Sequence, residues 1–442
     1  MFRTNLPETT VRVVSLLLFG LAVMLSHAAQ AQTFSVIHTF TGPDGMWPQA
    51  GLTIDARGRL YGTASSGGQN DHGSVFRVAP QGSGWVTTPL FKFGGSVGSA
   101  PIARPLFAPN GLLYGTTNSG GAGNCEGLGC GTVYSLRPGP NACTSALCPW
   151  LEHVVFSFGG LLAICDVSQP SEAGGARNPQ RLPEENIGVC PGFGDLTFDQ
   201  AGNVYGAITC CDGGAVYQLT ARGANALYYF SGGADGGDPE SGVIFDSAGN
   251  LYGTTAGGGS VNCGTVYELS PNGSGWTEKV LYSFQCGADG ESPVGGLIFD
   301  ASGNLYGTTS FGGAGKGGTV FELTPSGSNW TFQVLYSLNY SGTQDYLTGP
   351  SGILAMDAAG NLYGTAVLAG AFSAGSVFKL TPSNGSWIYT SLYDFSGGTD
   401  GGDPYGNVVF DGTGNIYGTA EVGGLNSCFP GLGCGTVWGI TP

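Results

Sequence analysis

One heptapeptide, Gly303-Asn304-Leu305-Tyr306-Gly307-Thr308-Thr309, returns in near copy along this chain, with its tyrosine at Tyr61, Tyr114, Tyr205, Tyr252, Tyr306, Tyr363 and Tyr417. The copies stand 53, 91, 47, 54, 57 and 54 residues apart. A period near fifty with one stretched gap is a repeat architecture, in which each unit buries its apolar faces only by stacking on its neighbours. The 442 residues therefore read as one large array and not as two or three independent domains.

The unit is clearest over residues 276–325. Strand A is Gly296–Asp300, strand B Leu305–Thr309, strand C Thr319–Leu323, and the preceding strand D is Lys279–Phe284. These runs are rich in Val, Ile, Leu, Phe and Tyr, and Gly, Asp, Asn and Pro fill the joints, as in a four-stranded antiparallel meander. Glycine makes up 82 residues without a collagen period, while aromatics reach 11 %, which fits short strands joined by tight turns. Seven units give an all-β fold, a seven-bladed β-propeller of four-stranded blades. The ends are out of phase with the blades: Phe34–Phe40 is a lone D-type strand and Gly435–Pro442 ends on a C-type strand. The first strand is expected to complete the last blade.

The heptapeptide is structural on this reading. Asp300 and its counterparts Asp55, Asp199, Asp246, Asp357 and Asp411 start the A-to-B turn, where an aspartate accepts backbone N–H bonds and a following glycine takes positive φ. Gly307 inside strand B calls for a neighbouring aromatic packed closely over it.

Residues 1–31 read as a signal peptide: Arg3 and Arg12 precede the apolar run Val13–Leu25, and Ala29-Gln30-Ala31 supplies the cleavage site. Residues 32–442 then form a single domain with an insertion at 159–193, and the expected location is secreted, extracellular or periplasmic. Loss of two of 14 basic and one of 30 acidic residues leaves 12 against 29, a charge of −17. Such a surface repels nucleic acid and anionic lipid. No later run is long enough to insert into a membrane.

All twelve cysteines lie in the exported part, which favours disulfides. Cys125 with Cys130, Cys143 with Cys148, Cys263 with Cys286, and Cys428 with Cys434 are the candidate pairs. Cys165, Cys190, Cys210 and Cys211 are left unordered. Zinc lacks the C-x-x-C spacing with histidine partners.

The strings G-N-L-Y-G-T-T, G-G-x-G-x-G-G-T-V-F, L-T-P-S-G-S-x-W and L-Y-S-F together resemble the GloVer (Gloeobacter/Verrucomicrobia) tandem repeat of exported bacterial proteins, over essentially the whole mature chain. The resemblance implies a secreted or surface protein and supplies no catalytic residues.

Function is expected where the copies differ. In a meander the B-to-C and D-to-A joints share one face, which collects the glycine-rich loops, the 159–193 insertion and acidic D-to-A motifs. Asp235, Asp238, Asp289, Glu291, Asp400 and Asp403 are candidate oxygen ligands for Ca²⁺, although Asp-Gly is also a turn dipeptide. No other cofactor is expected. His72, Arg177, Arg181 and Lys316 are ligand-face candidates, as departures from the repeat. A P-loop at Gly312–Gly318 lacks the Ser or Thr after Lys316 and the helix; Gly94–Gly98, of form G-x-S-x-G, lacks the strand-turn-helix context. The leading expectation is a binding or interaction scaffold for carbohydrate or protein, with no catalytic residues assigned. The alternative is an extracellular glycan hydrolase or lyase.

Overall fold

The computed structural model describes residues 32–122, 128–139, 150–158, 190–191, 194–209, 213–220, 223–340, 349–425, 428 and 431–442. The fifth repeat shows how the sequence makes a blade. Strand A is Ile298–Phe299, B is Leu305–Thr309, C is Lys316–Ser326 and D is Asn329–Asn339, hydrogen-bonded in that order and antiparallel. Asp300 opens the A-to-B turn. Its Oδ1 accepts from the N–H of Ser302 (2.8 Å) and Asn304 (2.9 Å), and its Oδ2 from Asn304 Nδ2 (2.8 Å) and the Tyr306 hydroxyl (3.2 Å). Gly303 takes φ 85° there, a left-handed conformation open to glycine without a Cβ clash. The asparagine and tyrosine of the heptapeptide are thus partners of one aspartate. The same set recurs at Asp199, Asp246, Asp357 and Asp411.

Gly307 is required by packing. A Cβ there would stand 2.5 Å from Cζ of Phe321, so the strand C ring lies directly on the strand B backbone. Tyr134 over Gly115, Tyr267 over Gly253, Phe378 over Gly364 and Trp438 over Gly418 repeat the contact.

Seven sheets of this kind form the ring, and among the described residues there is no helix. Thr33–Thr39 pairs antiparallel with Thr436–Thr441, from Thr33 opposite Thr441 to Thr39 opposite Thr436. Blade 7 therefore takes its outer strand from the start of the chain and its other three, Val409–Phe410, Ile416–Ala420 and Thr436–Thr441, from the end. Strand A is shorter than its sequence run: in blade 5 two residues, Ile298 and Phe299, pair before the Asp300 turn. Blade 3 carries an addition the repeat pattern does not announce, Cys190–Pro191, which pairs with Thr209 and Ile208.

The apolar core lies in the seams between blades. At the seam of blades 4 and 5, Val266 and Phe284 meet Leu297, Leu305, Phe321 and Leu323. Three outer seams also carry stacked rings: Tyr282 on Phe332 (centroids 3.8 Å apart), Tyr336 on Tyr389 (4.5 Å) and Tyr393 on Phe34 (3.6 Å). Cys263–Cys286 and Cys428–Cys434 are disulfides, each with Cα atoms 5.4 Å apart. Cys130 is also disulfide-bonded. Cys125, Cys143, Cys148, Cys165, Cys210 and Cys211 lie outside the described residues, as do the side chain of Cys190 and the signal peptide.

Candidate axial site

Five of the D-to-A joints bring the chain from the rim to the axis by one device. A residue before a proline adopts a left-handed backbone: Trp47 (φ 60°), Ala100 (53°), Asp238 (55°), Ser292 (52°) and Asp403 (51°). For a residue with a Cβ this conformation costs about 1–2 kcal/mol, and two interblade hydrogen bonds hold it. The N–H of Asp403 donates to the Ala374 carbonyl of blade 6 (2.9 Å), and its own carbonyl accepts from Glu421 N (3.2 Å). Asp238 does the same with Gly213 and Ala256, at 2.9 Å each. The proline that follows packs on a glycine of the preceding blade. A Cβ on Gly264 would stand 2.5 Å from Cδ of Pro293, and one on Gly214 would stand 2.5 Å from Cδ of Pro239. The glycine-rich B-to-C loops are thus sockets for these prolines.

The residue after each proline points the joint at the axis. Gln49, Ile102, Glu240, Val294, Ser351 and Tyr405 all hold this position, and all line one cavity of about 300 Å³. The next ring inward holds Asp195, Ile353 and Asn407. Asn407 spans blades 7 and 1, accepting from Leu52 N at 3.2 Å and donating to Leu52 O at 3.4 Å. Asp195 spans blades 3 and 2, accepting from Arg104 N (3.1 Å), Nε (2.9 Å) and Nη2 (2.7 Å). Among the described residues no Lys or Arg lines the cavity.

Burial raises Glu240, which lines the cavity, and Asp403 and Glu421. Glu240 is raised by burial and then by the charge of Asp238. Glu421, which follows strand B of blade 7, is pushed up to about 7 by burial, aided by the charge of Asp403, although its Oε1 accepts from Gln49 Nε2 at 2.6 Å. Burial pushes Asp403 up to about 6. The Tyr405 hydroxyl is raised by burial, then by the charges of Glu421 and Asp403. These groups offer donors and acceptors in a partly desolvated space, which is what a polar ligand needs.

Apart from Asp403, the sequence candidates sit elsewhere. Asp235 Oδ2 accepts from Ser231 N (2.9 Å) and the Tyr228 hydroxyl (3.0 Å), Asp289 Oδ2 from Gln285 N (2.8 Å) and Tyr282 (2.9 Å), and Asp400 Oδ2 from Ser396 N (2.8 Å) and Tyr393 (3.0 Å). The glycine after Asp235 and after Asp289 packs on a threonine pair, Thr255 with Thr265 and Thr309 with Thr319, and Gly401 packs on Ala420 and Thr436. Asp238 is exposed, and Glu291 lies within 4.8 Å of Cys263 and Cys286, whose sulfurs form a disulfide. His72 Nδ1 meets Ser99 Oγ at 2.9 Å, bridging blade 1 to the joint that follows it. Lys316 is exposed and begins strand C of blade 5. Arg177 and Arg181 lie outside the described residues. Gln49, Glu240, Ser351, Tyr405 and Glu421 were not candidates on sequence. The signal for the first four is the variable residue after the D-to-A proline; Glu421, after strand B of blade 7, has none.

No curated protein matches the chain. Among solved structures it is similar to a gluconolactonase from Xanthomonas campestris, 12 % identical over 94 % of this chain and 93 % of that one with TM-score 0.41. A protein of unknown function from Dyadobacter fermentans is 11 % identical over 93 % and 98 %, with TM-score 0.43. A luciferin-regenerating enzyme is 12 % identical over 93 % and 96 %, with TM-score 0.40. Nothing about activity follows from likenesses this distant. The model of the Gloeobacter/Verrucomicrobia repeat matches residues 20–155 and 191–438, and the chain belongs to that repeat family.

Proposed function

We propose that this protein is an exported binding scaffold whose ligand occupies the axial cavity. The carrying observation is the convergence of Gln49, Glu240, Ser351 and Tyr405, from four blades, at the one joint position the repeat leaves free. Packing alone has no use for such a set: the Ser351 hydroxyl is buried without a partner, and Glu240 and Tyr405 feel neighbouring charges but no hydrogen bond. Residues 1–31 serve as the export leader and residues 32–442 as the binding domain. Disulfides at Cys263–Cys286 and Cys428–Cys434 accord with an oxidising location.

The test is a ligand screen by melting shift and calorimetry on residues 32–442, run beside Val294→Trp, which fills the cavity. A ligand held by the native protein and lost by Val294→Trp supports the reading. A ligand held equally by both sinks it.

A second reading rests on Asp403 and Glu421, two partly buried carboxyls pushed up to about 6 and about 7. A carboxyl still protonated near neutrality can act as a general acid, the chemistry of a glycan hydrolase or lyase. Release of new reducing ends from a glycan, abolished by Glu421→Gln, would favour it over simple binding.

A further inference from the structure

The positions around the axial ring carry more information than their composition. Reading the residue after the proline blade by blade, the order is Gln49 (blade 1), Ile102 (blade 2), Glu240 (blade 4), Val294 (blade 5), Ser351 (blade 6) and Tyr405 (blade 7). Blade 3's own residue lies outside the description. In a ring of seven, blades three apart face each other across the axis. Gln49 and Tyr405, neighbours at the seam of blades 7 and 1, therefore face Glu240. Ile102 faces Val294 and its neighbour Ser351. The cavity is polar at the two ends of one diameter, and the crossing one is apolar at Ile102 and Val294 with the Ser351 hydroxyl beside Val294.

A flat ring with apolar C–H faces and a rim of hydroxyls has the complementary shape. Its faces would lie against Ile102 and Val294, and its rim would meet the Gln49 amide and Tyr405 hydroxyl on one side and the Glu240 carboxyl on the other. Hydroxyls both donate and accept, and so do amide and phenol groups, while a carboxyl oxygen accepts. An anionic ligand would bring its charge beside Glu240 and Asp195 with no free Lys or Arg among the described lining residues. A cation prefers acceptor-only surroundings, whereas the Gln49, Ser351 and Tyr405 groups donate as well. A space of about 300 Å³ is at the small end for ligand sites and suits about one or two sugar units.

We infer that the axial cavity binds a neutral saccharide ring edge-on, its faces between Ile102 and Val294 and its hydroxyls on Gln49, Tyr405 and Glu240. This rests on the reading of the cavity as the binding site.

Calorimetry on residues 32–442 with glucose, galactose, mannose and cellobiose, and with glucuronate and glucosamine as charged counterparts, tests it. A set of hydroxyl-free aromatic amide fragments serves as a control for the cavity itself. At least one neutral sugar should bind, and its glucuronate or glucosamine counterpart should bind at least about tenfold more weakly. Tyr405→Phe and Gln49→Ala should each weaken the neutral sugar about tenfold, the worth of one good hydrogen bond, with the melting temperature unchanged in Tyr405→Phe; Gln49→Ala also loses its bond to Glu421. Val294→Trp should abolish binding, and Ser351→Leu replaces it if that variant fails to fold. Charged sugars binding as tightly as neutral ones would overturn the inference, as would neutral sugars binding equally to the filled variant. If the fragments bind the native protein and not the filled variant while no sugar binds, the cavity is a site for another class and only this inference falls. If neither sugars nor fragments bind, both readings fall.

Discussion

Phe332 stacks on Tyr282 with ring planes 6° apart, and one blade earlier Glu278 holds the register position of Phe332. Glu278 lies opposite Leu269 on strand C, as Phe332 lies opposite Leu323. The seam of blades 3 and 4 thus sets a carboxyl near Tyr228 and Tyr267, both raised in part by its charge. Glu278 Oε1 and the Tyr267 hydroxyl are buried without partners. Replacing Glu278 by Phe should restore the stack on Tyr228 and remove the unpaired oxygen. We expect a gain of about 1–3 kcal/mol, from the aromatic pair and the relieved desolvation, read as a higher melting temperature. An unchanged or lower one would show that the carboxyl has a role the seam needs.

The pH profile of stability should peak in acid. Glu278 is pushed from its ordinary 4.5 up to about 7, by burial first and the charge of Asp235 second, and Glu421 also to about 7. A carboxyl raised on folding contributes stability that is full below its unfolded value and lost as pH rises through its folded one. On the other side, Asp411 is lowered from 3.8 to about 2: burial opposes, but hydrogen bonds from Thr413, Asn415 and Tyr417 outweigh it. Its contribution is present above 3.8 and is lost as pH falls toward 2. The melting temperature should be highest at about pH 4–5 and decline toward pH 8. Glu278→Gln should flatten the alkaline decline by about 1–2 kcal/mol after screening of this partly exposed group. A profile flat from pH 5 to 8 would contradict the seam geometry.

Gly307→Ala should destabilise by about 1–3 kcal/mol, the usual cost of overpacking, because its methyl would meet the Phe321 ring. Adding Phe321→Leu should recover part of that loss, a coupling visible in a double-mutant cycle. Additive effects would mean that the ring does not rest on the glycine. Leu305→Ala, at a fully buried residue of the same strand, should cost about 2–5 kcal/mol.

Asp289 serves as a turn lock in this structure, so Asp289→Ala should cost about 1–2 kcal/mol through the lost Gln285 N–H and Tyr282 hydroxyl bonds. Melting curves in millimolar Ca²⁺ and in EDTA should coincide. A calcium-dependent rise, lost in Asp289→Ala, would restore this joint as an ion site.

The ring, its strand order and its closure are legible in sequence because local rules set them. An Asp begins six of the seven A-to-B turns, with Ala108 in the seventh, a Gly lies under each strand C aromatic, and the unpaired strands at the two ends complement each other. The site is not legible in the same way. Gln49 and Tyr405 are 356 positions apart and become neighbours only when the ring closes. The conspicuous loops also mislead: Asp235 and Gly236 look like a ligand loop, yet one serves a tyrosine hydroxyl and the other packs on a threonine pair. The unremarkable residue after each described proline reaches the axis instead.

The pairing of Thr33 with Thr441 sets a timetable for the chain. Synthesis delivers Thr33–Thr39 long before its partner Thr436–Thr441, so six blades can assemble while the first strand waits as an open edge able to recruit a foreign strand. The seventh sheet is finished only when residues 436–441 arrive. A chain cut before them leaves two loose ends, and the loss should be felt first at Thr33–Thr39.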